Sequence, residues 1–202
     1  MTAAPALILA STSRYRRELL ERLRLPFSVV APGVDESALP GETPAALAHR
    51  LALAKAEAVA ALHPRAVVIG SDQTADLDGQ AIGKPLTHER ATTQLRSMRG
   101  RSVTFQTAVA VVCAATGLRV AALVPVVVKF RAFSDAEIDF YLRAEEPYDC
   151  AGSAKAEALG IALVEAIESS DPTALVGLPL IRTCELLRAA GLDPLAAPAS
   201  AR

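Results

Sequence analysis

Tryptophan is absent from this chain of 202 residues, and only five phenylalanines and three tyrosines supply aromatic rings. A marked excess of charge is also absent, because 21 basic residues offset 22 acidic ones and leave a formal net charge of −1. Proteins that bind nucleic acid usually combine a basic face with aromatic side chains on which bases stack. The composition therefore argues against a nucleic-acid-binding protein.

Cysteine pairs at metal-ligand spacing are missing as well. Cys113, Cys150 and Cys184 are far apart, no CxxC occurs, and the three histidines also lack ligand spacing. This pattern indicates neither a zinc site nor a disulfide framework. We expect buried, reduced thiols, which are typical of a cytoplasmic protein.

Long apolar runs and glycine-rich phosphate motifs are not found either. The longest uncharged stretch, Ser102–Leu118, contains Gln106 and Gly117 and is typical of a β-rich core, not of a membrane span. The short apolar run near the amino terminus precedes its basic residues, the reverse of a secretory signal. No GxxxxGK[ST], GxGxxG or GxSxG occurs, which argues against a P-loop ATPase, a kinase and a nucleophile elbow.

What the sequence does contain is an alternation of short apolar strands and helices. Strands are predicted over residues 6–10, 27–31 and 66–71. Helices are predicted over Arg14–Arg24 and from a cap at Thr43 through residue 62. Asp78–Gly79 predicts a hairpin turn. The pattern predicts one α/β domain over residues 1–202, built on a mixed, twisted sheet, with a frayed tail at 195–202.

The second half continues the alternation. Thr87 is the predicted cap of a helix through Met98, and Ser134 with Glu137 forms a capping box for the next helix. Residues 102–114 and 118–132 predict a long hairpin. Residues 148–167 are predicted to form a loop and a strand-like segment, and a final helix is expected over about Gly177–Ala190.

The strand ends carry the polar residues. The stretch ILASTSRYRREL places Ser11, Thr12 and Ser13 between the first strand and its helix, whose first residues include Arg16 and Arg17. Helix N-terminal N–H groups favour anions, and arginine binds phosphate oxygens as a planar fork. The turn is therefore a candidate phosphate site, and a simple capped helix with a solvated basic face is the alternative.

Carboxylates and lysines complete the pattern. Asp35 and Glu36 follow the second strand, Asp72 follows the third, and oxygen ligands of this kind suit Mg²⁺ or Mn²⁺. Lys55 lies in a mostly apolar helix, where lysine usually extends to solvent, and Lys84 precedes a proline. Together these groups suit cleavage of a phosphoanhydride by a carboxylate-activated water.

Eight blocks in order resemble the Maf family of nucleoside triphosphate pyrophosphatases. The match covers about residues 7–195, and the blocks are LILASTSRYRRELLERL, VDES, LALAKAEAVA, IGSDQTADLDGQAIGKP, TFQTAVAV, FSDAEIDFYL, CAGSAKAEALGI and DPTALVGLPL. The resemblance implies an α/β fold like that of inosine triphosphatases, with a mixed twisted sheet flanked by helices and a cleft between two lobes. It also implies metal-dependent hydrolysis between the α- and β-phosphates, which yields a monophosphate and pyrophosphate.

The resemblance also implies roles for individual residues. Asp72 corresponds to the proton-accepting carboxylate, and Ser11, Ser13 and Arg16 to the phosphate-binding turn. Catalytic positions further include Lys55 and Lys84. A divalent metal, Mg²⁺ or Mn²⁺, would be held by Glu36 and Asp72.

The SDQ sequence resembles the branch acting on 7-methyl-GTP, whereas the branch acting on dTTP and UTP typically has ADT. Tyr15, Gln73 and Glu157 correspond to the base-selecting positions. Tyr15 would stack on the cationic base, and Glu157 would accept hydrogen bonds from it. Two departures stand out, because Arg14 replaces the usual proline and Tyr15 the usual tryptophan of this branch.

Three functional hypotheses therefore remain at the level of sequence. The first is a 7-methyl-GTP pyrophosphatase, and the second is a pyrophosphatase for dTTP, UTP or other non-standard triphosphates. The third is a regulatory protein of the septum-inhibitor type. A homodimer is common among similar proteins, and no membrane or nucleic-acid partner is expected.

Overall fold

The computed structural model describes residues 5–196, which form a seven-stranded mixed sheet flanked by five α-helices. The strands are β1 (Leu7–Ala10), β2 (Phe27–Val30), β3 (Val67–Leu77), β4 (Gln80–Ile82), β5 (Ser102–Cys113), β6 (Leu118–Phe130) and β7 (Val164–Ser169). Their order is β2-β1-β3-β5-β6-β7, and β4 pairs with β3 outside this path. The predicted α/β class with a mixed sheet is confirmed.

Helices cover both faces of the sheet. They are α1 (Arg14–Glu21), α2 (Pro44–Leu62), α3 (His88–Met98), α4 (Asp135–Glu145) and α5 (Leu180–Ala189). Thr43, Thr87 and Ser134 cap α2, α3 and α4 as predicted, and the capping box of Ser134 and Glu137 is present. The sequence alone was sufficient to predict these caps, because each cap satisfies a free N–H group within its own turn.

Two helix boundaries differ from the prediction. α1 ends at Glu21, and Arg24 has a φ of 55°, so the helix cannot reach it. α5 begins at Leu180 instead of Gly177, because Gly177 has a φ of 116° and Pro179 is the extended N-cap residue. The residues before it form a short 3₁₀ turn, Ala174–Val176.

The third strand is longer than its apolar pattern suggested. β3 continues through Asp72 to Leu77 and then turns at Asp78 and Gly79, whose φ values of 54° and 80° confirm the predicted hairpin. The sequence placed the end of the strand at Ser71. Polar side chains at 71–74 obscured the continuation, which depends on pairing with β5.

The extended β3 leaves an opening in the sheet. β1 runs parallel to β3 and reaches only Gly70, whereas β4 pairs with β3 from Ala75 onward. Among the described strands, none pairs with residues 71–74 on this edge, although β5 pairs with them on the other edge. Because successive side chains on a strand point to opposite faces, both faces of the sheet contribute residues to the opening.

The core supports this arrangement from both sides. α2 packs on one face against Val68, Ala108 and Ala110, and α1 and α5 pack on the other against Leu9 and Ile69. A third cluster joins α3 and α4 to the far ends of β5 and β6. The opening in the sheet beside β3 is therefore surrounded by packed helices and strands.

The segment before β7 is mostly irregular. It contains two short 3₁₀ turns, Ala151–Ser153 and Leu159–Leu163, which agrees with the predicted loop and strand-like segment. Of the predicted frayed tail, residues 197–202 lie outside the described ones, and Ala196 donates a backbone hydrogen bond to Asp193. No helix within residues 5–196 is both long and apolar enough to cross a membrane.

Candidate active site

A cavity of about 680 Å³ lies at the opening in β3. Ten of the residues predicted from the sequence line it: Ser11, Ser13, Tyr15, Arg16, Glu36, Lys55, Asp72, Gln73, Lys84 and Glu157. They come from the β1–α1 turn, the β2–α2 loop, α2, β3, the segment after β4 and the loop before β7. The fold thus brings distant segments of the sequence to one place.

A buried ion pair stands at the centre of the cavity. Lys55 Nζ lies 2.7 Å from Asp72 Oδ1 and 2.6 Å from Glu36 Oε1. The side chains of Lys55 and Asp72 are only 5% and 10% exposed, whereas that of Glu36 is 56% exposed. Lys55 therefore does not extend to solvent like most helical lysines; it fixes two carboxylates side by side.

Close packing of α2 on β3 brings Lys55 to Asp72. Gly70 has no side chain, and a Cβ there would lie 2.2 Å from the carbonyl oxygen of Ala52 and 2.6 Å from the nitrogen of Ala56. The helix backbone thus touches the strand where a methyl group would not fit. Lys55 lies between Ala52 and Ala56 on α2, Asp72 lies two residues after Gly70 on β3, and the two side chains meet in the opening.

The two acids after β2 have different surroundings. Burial by itself would raise the pKa of Glu36, but its hydrogen bond with Lys55 and the charges of Lys55, Lys84 and Arg16 outweigh this effect and lower the pKa. Asp35 instead accepts a hydrogen bond from the backbone of Ser37 at 2.9 Å and is not among the residues lining the cavity. The prediction that three carboxylates converge is therefore wrong for Asp35, which closes a local turn.

The β1–α1 turn has the predicted capped geometry. Ser13 is the N-cap of α1, and its Oγ accepts a hydrogen bond from the Arg16 nitrogen at 3.4 Å. Ser11 Oγ accepts one from the Ser13 nitrogen at 3.1 Å, which holds the turn together. Both hydroxyls and the start of the helix line the cavity, where N-terminal N–H groups favour an anion.

Only one of the two candidate arginines faces the site. Arg16 Nε donates to the carbonyl oxygen of Gly177 at 2.9 Å, and both residues line the cavity. Burial lowers the pKa of Arg16, while the charges of Asp72 and Glu36 act in the opposite direction. Arg17 pairs with Glu21 at 3.0 Å on the exposed side of α1, so it does not contribute to this cavity.

An aromatic wall stands at another side of the cavity. Tyr15 is half-buried; the guanidinium of Arg14 lies 4.7 Å from its ring centroid, and Arg14 Nη2 donates to its hydroxyl at 2.7 Å. Burial raises the pKa of Tyr15 to about 12, although the hydrogen bond from Arg14 acts in the opposite direction. The ring is therefore neutral at physiological pH and presents its π-system beside the cavity.

Two residues that the sequence did not single out complete this wall. The Cys150 thiol donates to the Tyr15 hydroxyl over 3.9 Å and lies 3.4 Å from Asp149 Oδ1. Burial and the neighbouring Asp149 raise the pKa of Cys150 to about 12, so the thiol stays protonated and is not a nucleophile at neutral pH. Both residues line the cavity, and the irregular loop that carries them gave no periodic signal.

Lys84 and Glu157 are, like Glu36, exposed members of the site. Both line the cavity, and within the described chain neither forms an ion pair. The positive charge of Lys84 nonetheless contributes to the lowered pKa of Glu36. Both side chains are therefore free to meet a ligand.

The loop between β7 and α5 lies in the block DPTALVGLPL, but sequence reasoning assigned no role to its residues. Its Gly177 carbonyl accepts hydrogen bonds from Arg16 and, at 2.9 Å, from Ser71 Oγ. Asp171 is 1% exposed, and its carboxylate accepts hydrogen bonds from Thr173 Oγ1 and from the backbone of Ile181, both at 2.7 Å. Asp171 thereby fixes the loop that positions Arg16.

The side chains in the cavity supply only part of the ligands that a hard cation needs. Within residues 5–196, no group of three or more His, Cys, Asp or Glu side chains is arranged to hold a metal ion. Two carboxylates, Glu36 and Asp72, do converge on Lys55. Mg²⁺ is commonly held by one or two carboxylates together with substrate phosphates and water, so this pair fits such an ion.

Comparisons with known proteins show which family the chain resembles. A family model described as "Maf-like protein" matches residues 6–190. A protein from Albidiferax ferrireducens named "7-methyl-GTP pyrophosphatase" is 66% identical over 191 residues, which cover 95% of this chain and 96% of its own length. Proteins of the same name from Polaromonas and Thiobacillus denitrificans are 67% and 56% identical, over 92% and 98% of this chain and 85% and 98% of their own lengths.

Proposed function

Because the chain belongs to the Maf family, we propose that it hydrolyses 7-methyl-GTP to 7-methyl-GMP and pyrophosphate. The proposal rests first on the buried contact of Lys55 with Asp72 and Glu36 in a cavity that also contains Arg16. The names of relatives at 56–67% identity support both the reaction and the base. The arrangement of the side chains suggests how each would act.

Asp72 is proposed to accept the proton of the attacking water. Its Oδ1 is held by Lys55 at 2.7 Å, which leaves the second oxygen to bind and orient a water molecule. A carboxylate that is fixed by a buried cation keeps its orientation and its charge. Lys55 would thus position Asp72 as the general base and would also balance the charge of Glu36.

The triphosphate is proposed to lie against the β1–α1 turn. Arg16 is held through Nε by Gly177, so its two terminal nitrogens can donate to phosphate oxygens as a fork. Ser11, Ser13 and the helix start supply further donors. Lys84, on the segment after β4, also lines the cavity and would bind the phosphates as well.

A divalent cation is part of the proposal, and Glu36 and Asp72 are the residues that would hold it. When bound, Mg²⁺ or Mn²⁺ would offset the negative charge of the phosphates. Glu36 suits this role because its pKa is lowered, so it is ionised at neutral pH. Its half-exposed side chain remains accessible to solvent and ions.

The nucleobase of the substrate is proposed to stack on Tyr15. N7-methylguanine carries a positive charge, and an aromatic face attracts a cation by about 1 kcal/mol. Asp149 and Glu157 place two negative charges in the same cavity, which would complement that base. Tyrosine is a weaker cation–π partner than tryptophan, but its π-face is retained.

The test is pyrophosphate release from 7-methyl-GTP, GTP, dTTP, UTP and CTP, each with Mg²⁺, with Mn²⁺ and with EDTA. We expect the highest kcat/KM for 7-methyl-GTP and no turnover with EDTA. A preference for dTTP or UTP would retain the reaction and refute the base assignment. No release from any nucleotide would refute the enzyme and favour a regulatory protein.

A further inference from the structure

The side-chain amide of Gln73 is held in one orientation by three oxygen atoms. Its two Nε2 protons are shared among Thr107 Oγ1 at 2.9 Å and the carbonyl oxygens of Ala174 and Leu175, each at 3.0 Å. Thr107 Oγ1 itself donates to the Ala174 carbonyl at 3.0 Å, so its own proton is already used. Reversing the amide would place Oε1 against oxygen atoms with no proton between them.

This orientation leaves only an acceptor for the ligand. Gln73 is half-buried and lines the cavity, and its Oε1 has no hydrogen-bond partner among the described residues. The described chain also contains no buried side-chain oxygen or nitrogen without a partner, so this oxygen is open to the cavity. The rest of the base side adds further acceptors, the carboxylates of Asp149 and Glu157.

A fixed acceptor such as Gln73 Oε1 favours a base with a donor on its edge. Guanine presents the N1–H and the 2-amino group side by side, whereas uracil and thymine present a single N–H between two carbonyls. A site built around an acceptor rejects a ligand that lacks the donor, because the acceptor is then left unpaired. The orientation of Gln73 would therefore decide which bases bind.

Thr107 supplies the one side-chain oxygen among the three described acceptors of Gln73 Nε2. It is fully buried in β5, directly across from Gln73 on β3, and does not line the cavity. The carbonyls of Ala174 and Leu175, which also accept from Gln73, belong to the loop that is fixed by Asp171 and Thr173. Thr107 therefore touches neither substrate nor cation and acts only through Gln73 and this loop.

We propose that Thr107 is a specificity-determining positioning residue, which holds Gln73 with its carbonyl oxygen toward the cavity so that the site favours purines with a 2-amino group. The inference rests on the proposed function. It adds to that function a residue outside the cavity and a reason for the choice of base.

The test compares 7-methyl-GTP with 7-methyl-ITP, which has the same charge and methyl group but lacks the 2-amino group. Thr107→Val removes the hydroxyl at nearly constant volume, and Thr107→Ser keeps it as the matched control. We expect Thr107→Val to lower the ratio of the two kcat/KM values about fivefold, mainly through KM for 7-methyl-GTP. Thr107→Ser should retain the wild-type ratio.

Gln73→Met separates positioning from a general structural effect. It removes the acceptor itself and should lower the ratio at least as much as Thr107→Val. The double variant should show no further loss, because both changes act on the same contact. Additive losses, or an equal loss of activity on both nucleotides in Thr107→Val, would overturn the inference.

The outcomes also separate this inference from the proposed function. A wild-type enzyme that hydrolyses both nucleotides equally well would refute the role of Thr107 and leave the pyrophosphatase intact. Absence of turnover would refute the pyrophosphatase, and calorimetric binding of 7-methyl-GMP against 7-methyl-IMP would then measure the same discrimination. Equal or absent binding in that measurement would overturn the inference.

Discussion

At the residue scale, Lys55 determines the geometry of the two carboxylates that face the cavity. Its ammonium lies within 2.7 Å of both Asp72 and Glu36, and its side chain is 5% exposed. A buried cation of this kind prevents two acids from repelling each other and holds each oxygen in place. We therefore propose that Lys55 has both a structural and a catalytic role.

Replacing Lys55 by Met should cost stability and activity together. Asp72 would remain buried without its cation, so we expect the free energy of unfolding to fall by about 3 kcal/mol. Pyrophosphate release should fall by at least about a hundredfold. Urea unfolding and initial rates measure the two effects.

Lys129→Met is the matched control for this change. Lys129 pairs with Glu165 at 2.6 Å, but both side chains are more than half exposed. An exposed pair contributes less than about 1 kcal/mol, so stability and activity should stay near the wild-type values. Equal effects of the two substitutions would show that the buried contact has no special role.

Tyr15 makes a separate prediction about base preference. Tyr15→Phe keeps the ring, whereas Tyr15→Leu keeps only an apolar side chain. Because the ring attracts the cationic base by about 1 kcal/mol, the preference for 7-methyl-GTP over GTP should fall about fivefold in Tyr15→Leu. Tyr15→Phe should retain the wild-type preference. An unchanged preference in both variants would show that stacking on Tyr15 does not select the nucleobase.

At the scale of elements, the loop between β2 and α2 is positioned by one arginine of the helix. Arg50 donates to Glu42 Oε1 and Oε2 at 2.6 and 2.7 Å and to the Ser37 carbonyl oxygen at 2.9 Å. Ser37 directly follows Glu36 in the chain. The loop therefore delivers Glu36 to Lys55 because Arg50 anchors the next residue.

Arg50→Met should release this loop and reduce activity from a distance. We expect kcat/KM to fall about tenfold, since a small displacement of a positioned group has effects of this size or larger. Arg119→Met is the control, because Arg119 forms an exposed pair with Glu57 on the same helix. Full activity of Arg50→Met would mean that the position of Glu36 does not depend on the loop.

The elements also show which parts of the fold were predictable. The turn at Asp78–Gly79 and the capping box of Ser134 and Glu137 are encoded within a few residues, and the structure confirms both. The length of β3 and the start of α5 were wrong, because they depend on pairing with β5 and on the left-handed conformation of Gly177. Such nonlocal constraints leave no periodic pattern.

At the scale of the whole molecule, the site exists because distant segments meet at the opening in β3. Arg16 and the Gly177 carbonyl that holds it are 161 positions apart, and Gln73 and Thr107 are 34 apart. Residue types and the resemblance predicted ten of the side chains that line the cavity, but not those of Asp149 and Cys150. They did not predict their backbone partners, since any residue type supplies a carbonyl.

The charge distribution of the whole molecule predicts how stability depends on pH. Hydrogen bonds from Arg50 and Arg131 lower the pKa of Glu42 and of Glu137 from 4.5 to about 2. A carboxyl with a lowered folded-state pKa contributes stability that is fully present above its unfolded value and is lost as the pH falls through the folded value.

The free energy of unfolding should therefore stay level from neutral pH to about pH 5 and fall steadily toward about pH 2. Urea unfolding at stepped pH values measures this profile. Arg131→Met, which removes the partner of Glu137, should make the fall less steep. A stability that increases on acidification would contradict the role of these ion pairs.

The most direct test of the account is pyrophosphate release from 7-methyl-GTP by the wild type and by Asp72→Asn, measured with Mg²⁺ under identical conditions. The substitution keeps the shape of the side chain but removes the proton acceptor, so the account predicts a loss of activity of at least about a hundredfold. The circular dichroism of the variant should remain that of a folded protein. Turnover by Asp72→Asn at the wild-type rate would contradict the account.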